Sequence, residues 1–198
     1  QIMKQAGCWE ISFGLESGSN ELLQSMDKAA DIKKSEQAIL WTAAAGIRVK
    51  GLFMLGYPGE TPETIKMTQD FIRRLPITIM NLTKFTPYPG SPIYKELYGT
   101  NIRDDHWQKM NGMNFVWSPE GISVEELDRA YQATLKRFYQ RPAIGWHYLK
   151  MTIAYPSHML RLLKFLTLLA KAKFVSFVSG RKGVLLQESQ SYHLNDSG

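Results

Sequence analysis

Three short segments of this sequence combine glycine with side chains that can hold a polar organic ligand. They are residues 14–19 (GLESGS), 56–61 (GYPGET) and 86–91 (TPYPGS). Glu16 brings two acceptor oxygens that can bind a vicinal diol or an ammonium group, and Ser17 can donate or accept a hydrogen bond. Glycine lets the backbone approach a ligand closely. This combination suits a nucleoside with a charged amino-acid tail better than it suits a phosphate.

Other catalytic and binding motifs are absent from the sequence or weak. No G-x-x-x-x-G-K-[ST] loop supports a P-loop phosphate site, and no G-x-S-x-G turn supports a serine hydrolase. Residues 103–107 (RDDHW) are more typical of a solvated loop than of acid–base chemistry. Lys50 and Lys84 lie inside strand-like runs and make only a weak case for an aldolase. The histidines lack the spacing of a metal site; they are His106, His147, His158 and His193.

Each of the three glycine-bearing turns also has a purely structural explanation. Tight turns between a strand and a helix need glycine and proline for their geometry. Glu60 would then simply stand near the start of a helix and interact favourably with its dipole. One such turn says little about function, but three of them on one edge of a sheet favour a binding site.

The apolar pattern places each turn at the end of a strand. Strand-like runs cover residues 9–15, 47–56 and 77–87, and a helical segment follows each of them. Thr61, with Pro62 at the first helical position, predicts the start of the helix after the second turn. Alternating strands and helices predict an α/β fold with a parallel sheet, in which the carboxyl ends of all strands share one rim.

The second half of the chain has a different pattern. An S-x-x-E capping box, Ser123 and Glu126, predicts the start of a long helix after a segment of mixed character. The polar C-terminus predicts a flexible tail. The predicted parts are an α/β part at 1–98, an irregular connection at 99–122, a helical extension at 123–186 and a flexible tail at 187–198.

The three turns with their strands resemble the radical S-adenosylmethionine superfamily, in particular its cobalamin-binding class. GLESGS at residues 14–19 resembles the fourth strand and its ribose-contacting motif. LFMLGYPGET at residues 52–61 resembles the fifth strand and its turn beside the adenine, and FTPYPGSPIY at residues 85–94 resembles the sixth strand. LDRAYQATLKRFYQRP at residues 127–142 resembles the helical extension of this class. The similarity covers about residues 5–98.

The resemblance implies an enzyme with a partial, half TIM-like β/α barrel of parallel strands, followed by the α-helical extension. S-adenosylmethionine would lie across the rim. Glu16 and Ser17 would hold its ribose or its amino-acid part, and Pro87 and Tyr88 would close the cofactor site or face the substrate. The adenine would be flanked by Met54, Leu55 and Gly56.

The sequence departs from the superfamily at the iron–sulfur site. Members bind a 4Fe-4S cluster through a CxxxCxxC loop, whereas the only cysteine here, Cys8, has no companions and reads as a small buried residue. We therefore predict no metal ligands in this chain and a fragment whose cluster ligands lie in a missing N-terminal half. Cobalamin is the further cofactor that the resemblance suggests, and no catalytic residue is assigned.

Composition limits the kinds of binding partner and the cellular compartment that we expect. The net charge of +6 is spread along the chain without a basic patch interleaved with aromatics, so we expect no nucleic-acid partner. A single cysteine fits a reducing compartment, and we expect a cytoplasmic protein. The last helical segment, residues 158–178, places Arg161, Lys164 and Lys171 in one narrow stripe. This helix is expected to pack on the barrel or on its missing half, to lie peripherally on the inner face of a membrane, or to bind a partner protein.

The substrate is expected to be a small molecule, and contact with a membrane would suit a lipid or a tetrapyrrole-like compound. The alternative is a non-catalytic, degenerate barrel module that associates with a membrane surface through its basic amphipathic C-terminal helix. A cysteine motif encoded upstream of Gln1 would favour the enzyme, and a start codon there would favour the module.

Overall fold

The computed structural model describes residues 1–99 and 108–154, together with residues 160, 161, 164, 165 and 167. Residues 103–107, residues 187–198 (predicted as a flexible tail) and most of the last predicted helix lie outside the described residues. Contacts divide the chain into two units, residues 1–145 and 146–198. Within the second unit, the ammonium of Lys150 lies 5.3 Å from the centroid of the Trp146 ring.

The described part of the chain alternates strands and helices up to residue 98 and is helical after residue 123. The elements are α1 (Ile2–Gln5), β1 (Glu10–Glu16), α2 (Asn20–Ser25), α3 (Ile32–Ala44), β2 (Arg48–Leu55), α4 (Pro62–Arg74), β3 (Ile79–Lys84), α5 (Pro92–Tyr98), α6 (Val124–Tyr139) and α7 (Pro142–Ala154).

The three strands form one parallel sheet in the order β1-β2-β3. Glu10 lies opposite Arg48 at the amino end of the sheet, and Met54 lies opposite Thr83 near its carboxyl end. Helices occupy the connections, as parallel strands require. The predicted α/β fold with parallel strands, followed by helices, is confirmed. The three parallel strands fit a part of a β/α barrel.

Helix starts follow the local signals in the sequence. The hydroxyl of Thr61 accepts a hydrogen bond from the Thr64 amide at the start of α4, and Pro62 occupies the first turn. Ser123 and Glu126 form a reciprocal capping box at the start of α6. Both predicted starts are confirmed. Such caps favour the start of a helix because they satisfy backbone groups that the helix itself leaves unpaired.

One face of the sheet is packed under helices. Residues of β2 alternate between buried and half-buried, as expected when only one side of a strand is fully covered. Val49, Phe53 and Leu55 are each at most 1% exposed and join a core built with α3, α4 and α6. The most buried members contributed by the helices and the connection before β3 are Ile39, Phe71, Leu75, Ile77, Leu127 and Phe138.

The opposite face of the sheet is open in the described residues and carries both polar and apolar side chains. Ser12 and Asn81 are exposed on it, and Lys50 is partly exposed. Arg48 forms an ion pair with Glu10 across the two strands at 2.9 Å. In a complete β/α barrel such a face would line the interior.

The end of α4 is fixed by a side chain from beyond α6. The guanidinium of Arg141 donates hydrogen bonds to the carbonyls of Ile72 and Leu75, at 3.3 and 3.1 Å. These carbonyls belong to the last turn of α4 and its end, where the helix leaves acceptors unpaired and favours a positive charge. Arg141 therefore connects the helical extension to the α/β part.

None of the helices among the described residues is long and apolar enough to cross a lipid bilayer.

Candidate functional site

The carboxyl ends of the three strands bring the three glycine-bearing turns to one edge of the sheet. Glu16 ends β1, Leu55 ends β2 and Lys84 ends β3, and the register pairs Leu55 with Lys84. The turns at residues 14–19, 56–61 and 86–91 thus lie on a common rim, as the parallel topology requires.

At the first turn, Glu16 forms an ion pair with Lys28, a residue that the sequence did not single out. The Lys28 ammonium lies 2.8 Å from Glu16 Oε1, and both side chains are about 30% exposed. The second carboxylate oxygen of Glu16 has no partner among the described residues. The pair leaves this oxygen available to a donor from a ligand.

The Glu16–Lys28 pair lies over Gly14. A Cβ atom at Gly14 would lie 3.0 Å from Glu16 Oε1 and 3.2 Å from Lys28 Nζ, so a side chain there would force the pair to move. Glu16 itself has a φ of 58°, in the left-handed region that residues other than glycine rarely adopt, and the β1–β2 register is irregular there. Such conformations cluster at functional sites because the surrounding structure must hold them.

Ser17 is completely buried, and its hydroxyl faces α4. It lies 3.2 Å from the hydroxyl of Thr68 and accepts a hydrogen bond from the Ser19 amide. The Gly18 amide donates to the same Thr68 hydroxyl, and a Cβ at Gly18 would lie 2.5 Å from the Met67 carbonyl oxygen. Ser17 therefore fastens the turn to α4 in this structure, and its contact with a ligand stays a prediction.

At the second turn, the buried carboxyl of Glu60 connects the two ends of the turn. Glu60 is 1% exposed, and its Oε2 accepts a hydrogen bond from the Gly56 amide. Its Oε1 has no partner within the described residues. Burial raises the pKa of Glu60 to about 7, against the opposing effect of the Gly56 hydrogen bond. Glu60 thus stabilises the turn from inside, a role that its position before a helix did not predict.

The remaining predicted site residues differ in accessibility. Met54 is partly exposed on the open face of β2, whereas the side chain of Leu55 is fully buried in the core. Gly56 has a φ of 92°. Pro87 is buried and Tyr88 is 52% exposed. Met54 and Tyr88 can therefore offer their side chains to a ligand, and Leu55 only its backbone.

Residues 108–118 pack against the rim, which the sequence did not predict. The Lys84 amide donates to the Gly112 carbonyl at 2.9 Å, so this segment pairs with the end of β3. A Cβ at Gly56 would lie 2.9 Å from the ring of Phe115, which therefore covers the second turn. Lys84 forms an ion pair with Asp128 at 2.6 Å beneath this segment, which gives its amine a structural role.

The described residues contain no group of three or more histidine, cysteine, aspartate or glutamate side chains that could hold a metal ion. Cys8 is partly buried, and its thiol lies 3.6 Å from the Glu10 carbonyl oxygen, a weak contact. The donor set of the described residues therefore does not fit an iron–sulfur cluster.

Comparison with known proteins finds similarity to one family in the part of the chain that carries the first two turns. The model of the radical SAM superfamily matches residues 1–72. An uncharacterized methyltransferase of Pyrococcus horikoshii is 28% identical over 145 residues, which are 73% of this chain and 32% of that protein. Bacteriochlorophyllide d C-12(1)-methyltransferase of Chlorobaculum tepidum is 24% identical over the same shares of the two chains.

Two further proteins are also similar to this chain. Anaerobic magnesium-protoporphyrin IX monomethyl ester cyclase of Rubrivivax gelatinosus is 25% identical over 72% of this chain and 25% of its own length. A radical S-adenosylmethionine methyltransferase from Kitasatospora setae, TsrM, solved with cobalamin and a [4Fe-4S] cluster, matches 66% of this chain with a TM-score of 0.45 and 20% identity. The chain spans about a third or less of the length of these curated relatives.

The family match supports the enzyme class and the cofactors that the motifs implied, because S-adenosylmethionine and a 4Fe-4S cluster are the cofactors of this superfamily. The resemblance to the radical SAM superfamily that the motifs indicated is confirmed over residues 1–72, which carry the first two of the three rim turns.

Proposed function

We propose that the rim formed by the three turns binds S-adenosylmethionine, as one part of a longer radical SAM enzyme. The observation that carries the proposal is the Glu16–Lys28 ion pair, placed over Gly14 at the carboxyl end of β1. A carboxylate with one open oxygen can accept hydrogen bonds from the ribose diol or from the ammonium group of the cofactor. The Lys28 ammonium retains donors that suit the carboxylate of the same cofactor.

The second turn supplies the neighbouring part of the proposed site. Met54 lies on the open face of the sheet, and Gly56 brings backbone to the rim without a side chain. Both would flank the adenine, together with the backbone of Leu55. Glu60 would act from inside by keeping the turn in shape, and Ser17 would keep the first turn against α4. Pro87 and Tyr88 would border the cofactor or the substrate on the third turn.

The iron–sulfur cluster has no ligands among the described residues, so this chain contributes no step through it. In the whole enzyme, we expect the cluster ligands to lie outside this chain, in an N-terminal half of the barrel. A bound cluster supplies the electron for cofactor cleavage, and the residues described here bind and orient the cofactor. Cobalamin as a further cofactor rests on the motif resemblance alone, and no residue here is assigned to it.

The proposed substrate is a small tetrapyrrole-like molecule. Two relatives are named for chlorophyll-type substrates, a bacteriochlorophyllide methyltransferase and a magnesium-protoporphyrin ester cyclase. Their names favour methyl transfer or ring closure on such a molecule. Tyr88, exposed on the third turn, is the described rim residue best suited to contact a planar ring.

Binding of S-adenosylmethionine to the full protein tests the proposal. We expect Glu16→Gln to weaken binding about 10- to 100-fold, the effect of losing a hydrogen bond to a charged group. Glu21→Gln is the matched control, because Glu21 is an exposed carboxylate five residues along the chain. Calorimetric titration should show the loss for Glu16→Gln only. Equal affinity of both variants and the wild type would refute the proposed role of Glu16.

A further inference from the structure

A second cavity lies away from the rim, between helices α4 and α6 on the covered side of the sheet. It has a volume of about 280 Å³, close to the lower limit of common small-molecule sites. Its walls come from the last two turns of α4 and the end of α6 with the residues just beyond it. The proposed cofactor site does not use this region.

Three guanidinium groups line this cavity: those of Arg73, Arg137 and Arg141. The only carboxylate in its walls, Asp70, is already shared between Lys66 and Arg73, at 2.7 and 3.4 Å. Neither Arg137 nor Arg141 forms an ion pair within the described part of the chain.

The negative ends of the two helices offset part of this positive charge. The carboxyl ends of α4 and α6 carry about half a negative charge each, and basic residues in the last turn compensate them. Arg141 donates to the end of α4, and Arg137 lies in the last turn of α6. After Asp70 and both helix ends are counted, three guanidinium groups leave a surplus of about one positive charge.

The cavity also has an ordered polar wall and an apolar wall. Gln69 donates to the hydroxyl of Thr134 at 2.9 Å and accepts from the exposed Arg137 at 3.3 Å, so Gln69 connects side chains of the two helices. Burial lowers the pKa of Arg141. Ile72 and Phe138, each at most 3% exposed, form the apolar part.

We infer that this cavity binds a small phosphate monoester, whose phosphate lies among Arg73, Arg137 and Arg141 and whose organic part contacts Ile72 and Phe138. Guanidinium groups match phosphate oxygens in geometry and charge, and they bind them in pairs of parallel hydrogen bonds. The small volume excludes a large cofactor, and the apolar wall favours an ester over free phosphate. This site is independent of the proposed cofactor rim.

Titration calorimetry of the full chain with phenyl phosphate and with inorganic phosphate, at constant ionic strength, tests this inference. We expect saturable binding of phenyl phosphate with a Kd below about 1 mM, and weaker binding of inorganic phosphate. The double variant Arg73→Ala/Arg137→Ala should bind at least about tenfold more weakly, a difference of about 1.4 kcal/mol. Arg141 is left in place because it supports the end of α4.

The control is Arg129→Ala/Lys136→Ala, which removes the same charge from exposed positions of α6 that do not line the cavity. It should bind phenyl phosphate within about twofold of the wild type, and both double variants should melt cooperatively without ligand. Absence of saturable binding, or an equal loss in both double variants, would overturn the inference. A higher affinity for inorganic phosphate than for phenyl phosphate would also overturn it.

Discussion

The buried carboxyl of Glu60 accepts a hydrogen bond from the Gly56 amide and so connects the two ends of the turn that follows β2. Because its other oxygen has no partner among the described residues, ionisation of this carboxyl is unfavourable in the folded protein. The pKa of about 7, against an ordinary value of 4.5, expresses this cost. We therefore expect the turn beside the proposed adenine site to respond to pH between 4.5 and about 7.

The first prediction concerns stability as a function of pH. A raised pKa means that the folded state keeps the proton of Glu60 between pH 4.5 and about 7, whereas the unfolded state has lost it. The contribution of Glu60 to stability is therefore fully present below pH 4.5 and is lost as the pH rises towards 7. The loss amounts to about 3 kcal/mol as an order of magnitude.

Urea unfolding of the wild type and of Glu60→Gln between pH 4.5 and 8 measures this contribution. The amide cannot ionise, so the free energy of unfolding of the variant should fall less with pH than that of the wild type. Glu63→Gln, an exposed position in the first turn of α4, should retain the slope of the wild type. Identical slopes for Glu60→Gln and the wild type would show that Glu60 does not titrate in this range.

The second prediction concerns the contact between Gly56 and Phe115. Gly56→Ala places a Cβ at a φ of 92° and 2.9 Å from the Phe115 ring. We expect it to destabilise the protein by about 2–4 kcal/mol, from backbone strain and overpacking together. Gly59→Ala is the control, since Gly59 has a φ of 83° but its nearest neighbour, Leu22 Cδ1, is 4.0 Å away.

Thermal unfolding of the two glycine variants separates the cost of backbone strain from the cost of the contact with Phe115. Gly59→Ala should lose about 1–2 kcal/mol through strain alone. Adding Phe115→Ala to Gly56→Ala should recover the part caused by the contact, so the two substitutions should be less than additive. Strict additivity would mean that Phe115 does not cover this turn.

The third prediction concerns Gly14, which leaves space for the Glu16–Lys28 pair. Gly14→Ala must shift the Glu16 carboxylate by a few tenths of an ångström, because the new Cβ would lie 3.0 Å from its Oε1. We expect affinity for S-adenosylmethionine to fall about three- to tenfold, or about 0.6–1.4 kcal/mol, with little change in melting temperature. Ser12→Ala, exposed on the same strand, should leave the affinity unchanged.

Titration of Gly14→Ala and of Ser12→Ala with S-adenosylmethionine measures whether the position of the Glu16 carboxylate affects cofactor affinity. A full wild-type affinity in Gly14→Ala would mean that the position of the Glu16 carboxylate is unimportant for the cofactor. A loss in Ser12→Ala equal to that in Gly14→Ala would point to a general effect on the strand.

The sequence predicted the elements of the α/β part well, because their signals are local. Thr61 with Pro62 and the Ser123–Glu126 box mark helix starts through contacts within three residues. Glycine and proline mark the turns, and the alternation of strands and helices implies a parallel sheet. These features need no knowledge of distant contacts.

The site was harder to predict, because its side chains are oriented by distant contacts. Ser17 was expected to contact a ligand, yet its hydroxyl bonds with Thr68, 51 residues along the chain. Lys28 carried no local signal, and its role depends on the fold of the turn over Gly14. The packing of Phe115 on Gly56 depends likewise on a connection whose sequence predicts only irregular structure.

The most direct test of the central claim is an experimental structure of the full protein with S-adenosylmethionine bound. We predict a ribose hydroxyl or the amino group of the cofactor within about 3.2 Å of the Glu16 carboxylate. The adenine should lie beside Met54 and Gly56. A cofactor bound away from the three turns, with the Glu16–Lys28 pair unchanged and without contact to it, would contradict the account.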